Sequence, residues 1–163
     1  MLPATANMLG FRAVSRPREL SRMPEHILAE VAVFDPEECH VARHATDDWT
    51  VTDVSRSALG GDAGEVVEKF TLQSSGAADL PETIEHPRVE RVFSDGDSHT
   101  FRLSRPADEG CACECIERAD CVIRDITIRG DVLVATFLVR NPERLRTVID
   151  DLRETADGIS LRR

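Results

Sequence analysis

Tyrosine is absent from this chain of 163 residues, tryptophan occurs once and aromatic residues make up only 4%. Lysine also occurs once, at Lys69, so nearly all of the 20 basic side chains are arginine. Against them stand 30 acidic residues, giving a net charge of -10. Such a surface repels phosphate backbones and anionic lipids, which excludes direct nucleic-acid binding as the expected role of this segment. No run of ~18 apolar residues exists, so no helical membrane span is expected. A secretory signal is missing too, because the N-terminus lacks the apolar stretch and small-residue cleavage site of one. The cysteines lack CxxC spacing, and their number, five, is odd. Together these absences argue for a reducing cytoplasm and against a disulfide scaffold.

The skew itself has a physical reading. Short carboxylates hold water and cations in concentrated salt, where lysine stems expose apolar surface and the Debye length falls to ~3 Å. An extreme halophile is the expected source, and the acidity then reports the solvent rather than a partner.

Residues 1–23 reverse the balance, with Arg12, Arg16, Arg18 and Arg22 against Glu19. They are expected to form a disordered arm, with Met23 a natural alternative start. Beyond it, 27–34 reads as a buried strand, and Asp35-Pro36-Glu37-Glu38 as the start of a brief helix. Strands are expected over 49–54 and 66–72, where Val66, Phe70 and Leu72 share a face. A short helix is expected near Asp79-Leu80-Pro81-Glu82, and a hairpin from 89–93 and 99–103 around Asp95-Gly96-Asp97.

The last third is more legible. A short helix over 115–119 is followed by strands at 121–128 and 132–139, joined at Gly130-Asp131; the Arg-Gly-Asp triplet is that turn and nothing more. Asn141 and Pro142 open a helix whose Leu145, Val148, Ile149 and Leu152 form one apolar stripe. Gly158 ends it, and 159–162 alternates as a closing strand. The expected class is therefore α+β: two ferredoxin-like α/β sandwich units with mainly antiparallel sheet, 24–103 and 104–163. The second unit becomes βαββαβ if strand 98–103 is shared. At this length one ordinary core or two small ones is expected.

The chemistry concentrates at Cys111, Cys113, Cys115 and Cys121. Four soft ligands so close could hold zinc or an iron–sulfur cluster. They could instead form a thiol switch, since a CxC disulfide closes a strained, easily reduced ring. Or they could simply pack, as buried free cysteines often do. If 111–115 is helical, Cys111 and Cys115 share a face and Cys113 points away; if it is extended until Glu114, Cys111 and Cys113 share a side instead, so only a loop could present all four. Cys39, His40 and His44 form a weaker metal group, of which Cys39 or His40 could complete that coordination if the two groups meet in space; His86 and His99 read as loop and strand surface residues. No nucleophile with a base, phosphate loop or acid pair is visible, and Gly60-Gly61-Asp62-Ala63-Gly64 lacks a phosphate-loop lysine. An enzyme is not expected.

Several segments together carry a likeness: Glu65-Val66-Val67-Glu68-Lys69-Phe70, His86-Pro87-Arg88-Val89, CACECIERADC at 111–121, DITIRGDVLVATFLV at 125–139 and NPERLRTVIDDLRE at 141–154. Over residues 25–163 the chain resembles the bacterio-opsin-activator-like (Bat/DmsR-type) helix-turn-helix regulators of halophilic archaea. That resemblance implies a sensor or association domain ahead of a promoter-binding helix-turn-helix, and a CxCE-type motif at Cys113-Glu114-Cys115 or Cys111-Ala112-Cys113-Glu114. Arg163 falls where a helix-turn-helix would follow, so a sensor half, a truncated form or a stand-alone relative is expected. Expectation settles on a cytoplasmic regulator domain that senses metal or redox state through the cysteine cluster and acts as a homodimer or with a partner regulator. An interaction module with structural cysteines is the alternative, and a small-molecule-binding domain the third.

Overall fold

The computed structural model describes residues 26–57, 64–76, 78–107 and 110–163. The expected N-terminal arm, 1–23, lies outside them, as does most of the glycine-bearing loop at 60–64. Eight strands form one sheet: β1 (Ile27–Phe34), β2 (Trp49–Ser57), β3 (Glu65–Ser74), β4 (Val89–Asp95), β5 (Ser98–Pro106), β6 (Val122–Arg129), β7 (Val132–Val139) and β8 (Gly158–Leu161). Their spatial order is β4-β5-β3-β2-β6-β7-β1-β8, and every pairing is antiparallel.

Local chemistry accounts for most elements. Two tight turns, Gly96-Asp97 and Gly130-Asp131, reverse the β4–β5 and β6–β7 hairpins, each glycine at φ +56°. That left-handed conformation costs glycine little and most residues more. Helix α2 (Pro142–Thr155) starts where expected: the Asn141 side chain accepts a hydrogen bond from Arg144 N–H at 2.8 Å and Pro142 occupies the first turn. Its Val148, Ile149 and Leu152 are buried against the sheet, at roughly 1.5–3 kcal/mol of hydrophobic stabilisation per side chain. Helix α1 (Ala112–Arg118) begins three residues before the expected 115, with Cys111 as its N-cap. The brief helix expected at Asp35-Pro36-Glu37-Glu38 is a turn instead, with Asp35 at φ +49°. Short 3-10 turns follow it at Ala42–His44 and near the second expected helix at Glu82–Ile84.

One face of the sheet carries the core. On β7, Leu133, Ala135, Phe137 and Val139 are buried, while the residues between them are half-buried. Beneath that face lie α1, α2 and the Ala42–His44 turn, where His44 stacks on Phe70 with ring centres 5.1 Å apart. Phe70 stacks in turn on Phe101 at 5.6 Å.

Two ferredoxin-like sandwich units do not form. The described residues make one continuous, predominantly β sheet with two α-helices among them, of 7 and 14 residues. The strand expected to open the second unit, β5, pairs with β3 and β4. It is β1 that lies between β7 and β8. The periodicity of a strand reports which face is buried but not which neighbour it pairs with. Here the partners are about a hundred residues apart along the chain, as in Val31↔Ala135.

Candidate functional site

Strand alternation places charge where apolar residues belong. Val66, Glu68, Phe70 and Leu72 are the buried side of β3, and Phe101, Leu103 and Arg105 that of β5. On β2 a bulge between Thr52 and Ser55, with Asp53 at φ +51°, shifts the register. As a result Arg56 turns inward, its side chain only 7% exposed. These three charges meet Glu114 of α1 beneath the sheet.

Arg105 is the centre of the group and 1% exposed. Its guanidinium grips Glu68 with two donors, Nε to Oε2 and Nη2 to Oε1, both at 3.0 Å. Nη1 donates to Glu114 Oε1 at 2.7 Å and to the Pro106 carbonyl at 3.0 Å. Nη2 also reaches Cys111 Sγ at 3.5 Å. Arg56 joins from the other side: Nη2 lies 3.3 Å from Glu114 Oε1, and Nη1 is 2.9 Å from Glu117 Oε2. Its Nε stands 3.0 Å from Glu68 Oε1, a charge contact without hydrogen-bond alignment. Burial opposes the charge of Arg105, but Glu68 and Glu114 outweigh it and hold the guanidinium ionised. Burial likewise opposes ionisation of Glu114; Arg105, the Gly110 N–H and Arg56 prevail and lower its pKa. Two arginines thus balance two buried glutamates, with Glu117 at the rim.

The four clustered cysteines divide. Cys111 and Cys113 stay together, the Cys113 thiol donating to Cys111. That hydrogen bond is the chief cause that lowers the Cys111 pKa to about 7; burial opposes it and Arg56 assists. Cys113 is pushed well above the usual thiol range by the same hydrogen bond and by burial. Cys39 adjoins the pair closely enough to interact electrostatically with both, and burial raises its thiol to about 12. Cys115 instead faces α2, where it hydrogen-bonds Thr155, and Cys121 Sγ lies 3.7 Å from the Ala119 carbonyl. Burial raises both of their pKa values. All five thiols are free and buried.

The Cys39, His40 and His44 group also separates. Cys39 turns to the thiols, whereas His40 and His44 line a pocket of about 470 Å³. His44 Nδ1 is hydrogen-bonded to Thr83 Oγ1 at 2.9 Å. Among the described residues, no three His, Cys, Asp or Glu side chains converge as a metal site.

Residues 23–163 match the family described as DmsR, N-terminal domain-like. The chain belongs to that family. It is 31% identical over 141 residues to the transcriptional regulator NarO of Haloferax volcanii, an alignment covering 86% of this chain and 63% of that protein. The chain thus spans less than two thirds of that relative. No solved structure matches it. The resemblance to Bat/DmsR-type regulators is upheld by both likenesses.

Within this DmsR-like domain, the residues that sequence reasoning missed are Glu68, Arg105 and Arg56. For the first two a signal was present: a charged residue at an inward position of an otherwise apolar alternation demands a buried partner. Arg56 gave no such signal, because only the bulge turns it inward. Cys39 was seen, but its distance in sequence from Cys111 concealed that the two are neighbours.

Proposed function

We propose that this domain is the sensing part of a transcriptional regulator, and that it reads redox state at Cys111 and Cys113, with Cys39 adjoining. The observation that supports this most is the setting of Cys111. Its sulfur accepts hydrogen bonds from Cys113 and from Arg105, inside a buried ion network that also holds the first turn of α1. A thiol held partly as thiolate near neutral pH is the reactive species in a low-pKa cysteine pair.

The step balances simply. A peroxide converts the Cys111 thiolate to sulfenic acid and releases hydroxide; the Cys113 thiol then attacks that sulfur, forming the disulfide and expelling water. Oxidation removes the thiolate beside Arg105 and ties the N-cap of α1 to its first turn. Movement of α1 against α2 would pass to a regulator through self-association or a partner protein. The five reduced cysteines suit a cytoplasmic setting, and no helix among the described residues is long and apolar enough to cross a membrane.

Zinc or an iron–sulfur cluster fits these side-chain positions less well. Cys39 adjoins the Cys111–Cys113 pair, but among the described residues no three ligand side chains converge, Cys115 and Cys121 face other partners, and Arg105 occupies Cys111 Sγ. The experiment is metal analysis and thiol titration of anaerobically purified protein, before and after peroxide. Loss of two thiols, mapped to Cys111 and Cys113, with altered exchange of α1 amides, is expected. Stoichiometric bound metal, or unchanged regulation by a Cys111→Ser/Cys113→Ser protein, would overturn the proposal.

An interaction module with structural cysteines is favoured by one observation. Edge strand β4 exposes Val92 at 50% and Phe93 at 63%, an apolar pair open to a partner. That reading predicts loss of association on Phe93→Ser and none on cysteine replacement.

A further inference from the structure

The pocket beside the ion network has walls of one charge sign. It is lined by Arg43, Arg88 and Arg105 and by His40, His44 and His86, and among the described residues no carboxylate lines it. This occurs in a chain where acidic residues outnumber basic ones by 30 to 20. The arginines differ in what their charge already does. Arg105 is neutralised by Glu68 and Glu114. Arg43 and Arg88 form no ion pair among the described residues. They approach from different elements, Arg43 from the Ala42–His44 turn and Arg88 from the segment entering β4.

Cations gathered without counter-charge repel one another, so an anion between them relieves repulsion as well as gaining attraction. His44 reports the same field. Its pKa is lowered to about 4, first by burial and then by the charges of Arg43, His86 and His40. Fixed as a neutral ring by Thr83 and packed on Phe70, it offers a polarised wall rather than a competing cation. Val89 and Leu103 supply apolar surface for the body of a ligand. A volume of about 470 Å³ suits a small organic molecule.

We infer that this pocket is a binding site for a small ligand bearing a carboxylate or phosphate group, held by Arg43 and Arg88 against the Val89, Leu103 and His44 wall. Guanidinium forks bind both groups bidentately, which chloride cannot match. The site does not rest on the thiol reading, although Arg105 borders both.

The test is calorimetric titration of the 163-residue chain with succinate and, separately, with inorganic phosphate, at fixed chloride concentration and ionic strength. Amide NMR locates the response. One saturable site is expected, with shifts confined to the surroundings of His44, Thr83, Val89 and Ser104. Arg43→Gln and Arg88→Gln should each weaken binding about tenfold and the double variant abolish it, a tenfold loss corresponding to about 1.4 kcal/mol. Both side chains are exposed, so the fold is retained, and Arg153→Gln on α2 serves as the control that leaves affinity unchanged. Binding of succinate alone assigns a carboxylate ligand, and of phosphate alone a phosphoryl or inorganic one. Binding retained in the Cys111→Ser/Cys113→Ser protein shows that the site does not require the thiols. No saturable binding of either probe, or binding untouched by the double arginine variant, would overturn the inference.

Discussion

Replacing Arg105 by Met keeps much of the side chain's length and apolar packing while removing its charge and donors. In the native domain Arg105 makes five polar contacts, of which three go to carboxylates. Without it, Glu68, which is 3% exposed, keeps among the described residues the poorly aligned Arg56 Nε at 3.0 Å. Glu114 keeps Arg56 at 3.3 Å and the Gly110 N–H at 3.0 Å. The buried group then holds one arginine against two glutamates. Removing one partner of a buried pair costs about 3–5 kcal/mol, a fifth or more of the ~5–15 kcal/mol that stabilises an ordinary domain. Urea unfolding, followed by the fluorescence of Trp49, should show this loss at low salt and largely unchanged at about 1 M salt, because buried charges are poorly screened. Adding Glu68→Gln to the same protein restores the balance of charge, and at least ~1 kcal/mol should return as positive coupling. A loss for Arg105→Met below ~1 kcal/mol, or one that disappears with salt, would show the network to behave like surface pairs and refute the reasoning.

His44 is neutral in the folded domain, with its pKa lowered from 6.5 to about 4, so below pH 6.5 protons bind the unfolded chain first. Its contribution, ~3 kcal/mol, is complete above pH 6.5 and lost as the pH falls towards 4; urea midpoints across that window should drop in wild type and less in His44→Gln. Cys115→Ala and Cys121→Ala each remove a small buried group and should cost roughly 1 kcal/mol in thermal unfolding, while peroxide still consumes two thiols. A Cys115→Ala protein that no longer loses them would move the reactive pair. Asn141→Ala removes the 2.8 Å cap of α2 and should cost about 1 kcal/mol, with faster amide exchange confined to the first turn of that helix.

Much of the fold could be read residue by residue where the cause was local. The bounds of β1 and β7, the Asn141 cap, the apolar stripe of α2 and both glycine turns all follow from backbone chemistry within a few residues. Partner choice did not follow, since β1 joins strands from the far end of the chain and β5 turns back to β3. The start of α1 was misplaced because Cys111 has no capping side-chain hydrogen bond to mark it. Of the site, the run of cysteines could be read from the sequence, but which of them lie together, and what surrounds them, could not. Glu68 and Arg105 come together only through antiparallel pairing, in which Arg105 stands opposite Val66 and Glu68 opposite Leu103, a diagonal contact across two strands.

The location of α1 makes a small chemical change at Cys111 consequential. A helix of seven residues is marginal by itself, so its order must come from what it contacts. On one side Glu114 anchors it to Arg105 and Arg56; on the other, Ile116 is fully buried and Cys115 meets α2. Cys111 touches the anchor directly through Arg105 Nη2. Under the proposed oxidation, the anchor loses an acceptor at the same moment that the disulfide constrains the helix start, so both changes act on one turn. Cys115 and Cys121, packed on the opposite side, would then transmit the displacement to α2 rather than take part in the chemistry. The same anchor borders the cationic pocket, where an anion near Arg105 would compete with Cys111 for its charge. Bound anion should therefore disfavour the Cys111 thiolate, and by linkage the thiolate should weaken anion binding by the same factor. Anion affinity rising as the pH is lowered through 7 in wild type, and rising less in Cys111→Ser, is the expected signature of that coupling; identical profiles in the two proteins would separate the pocket from the thiols.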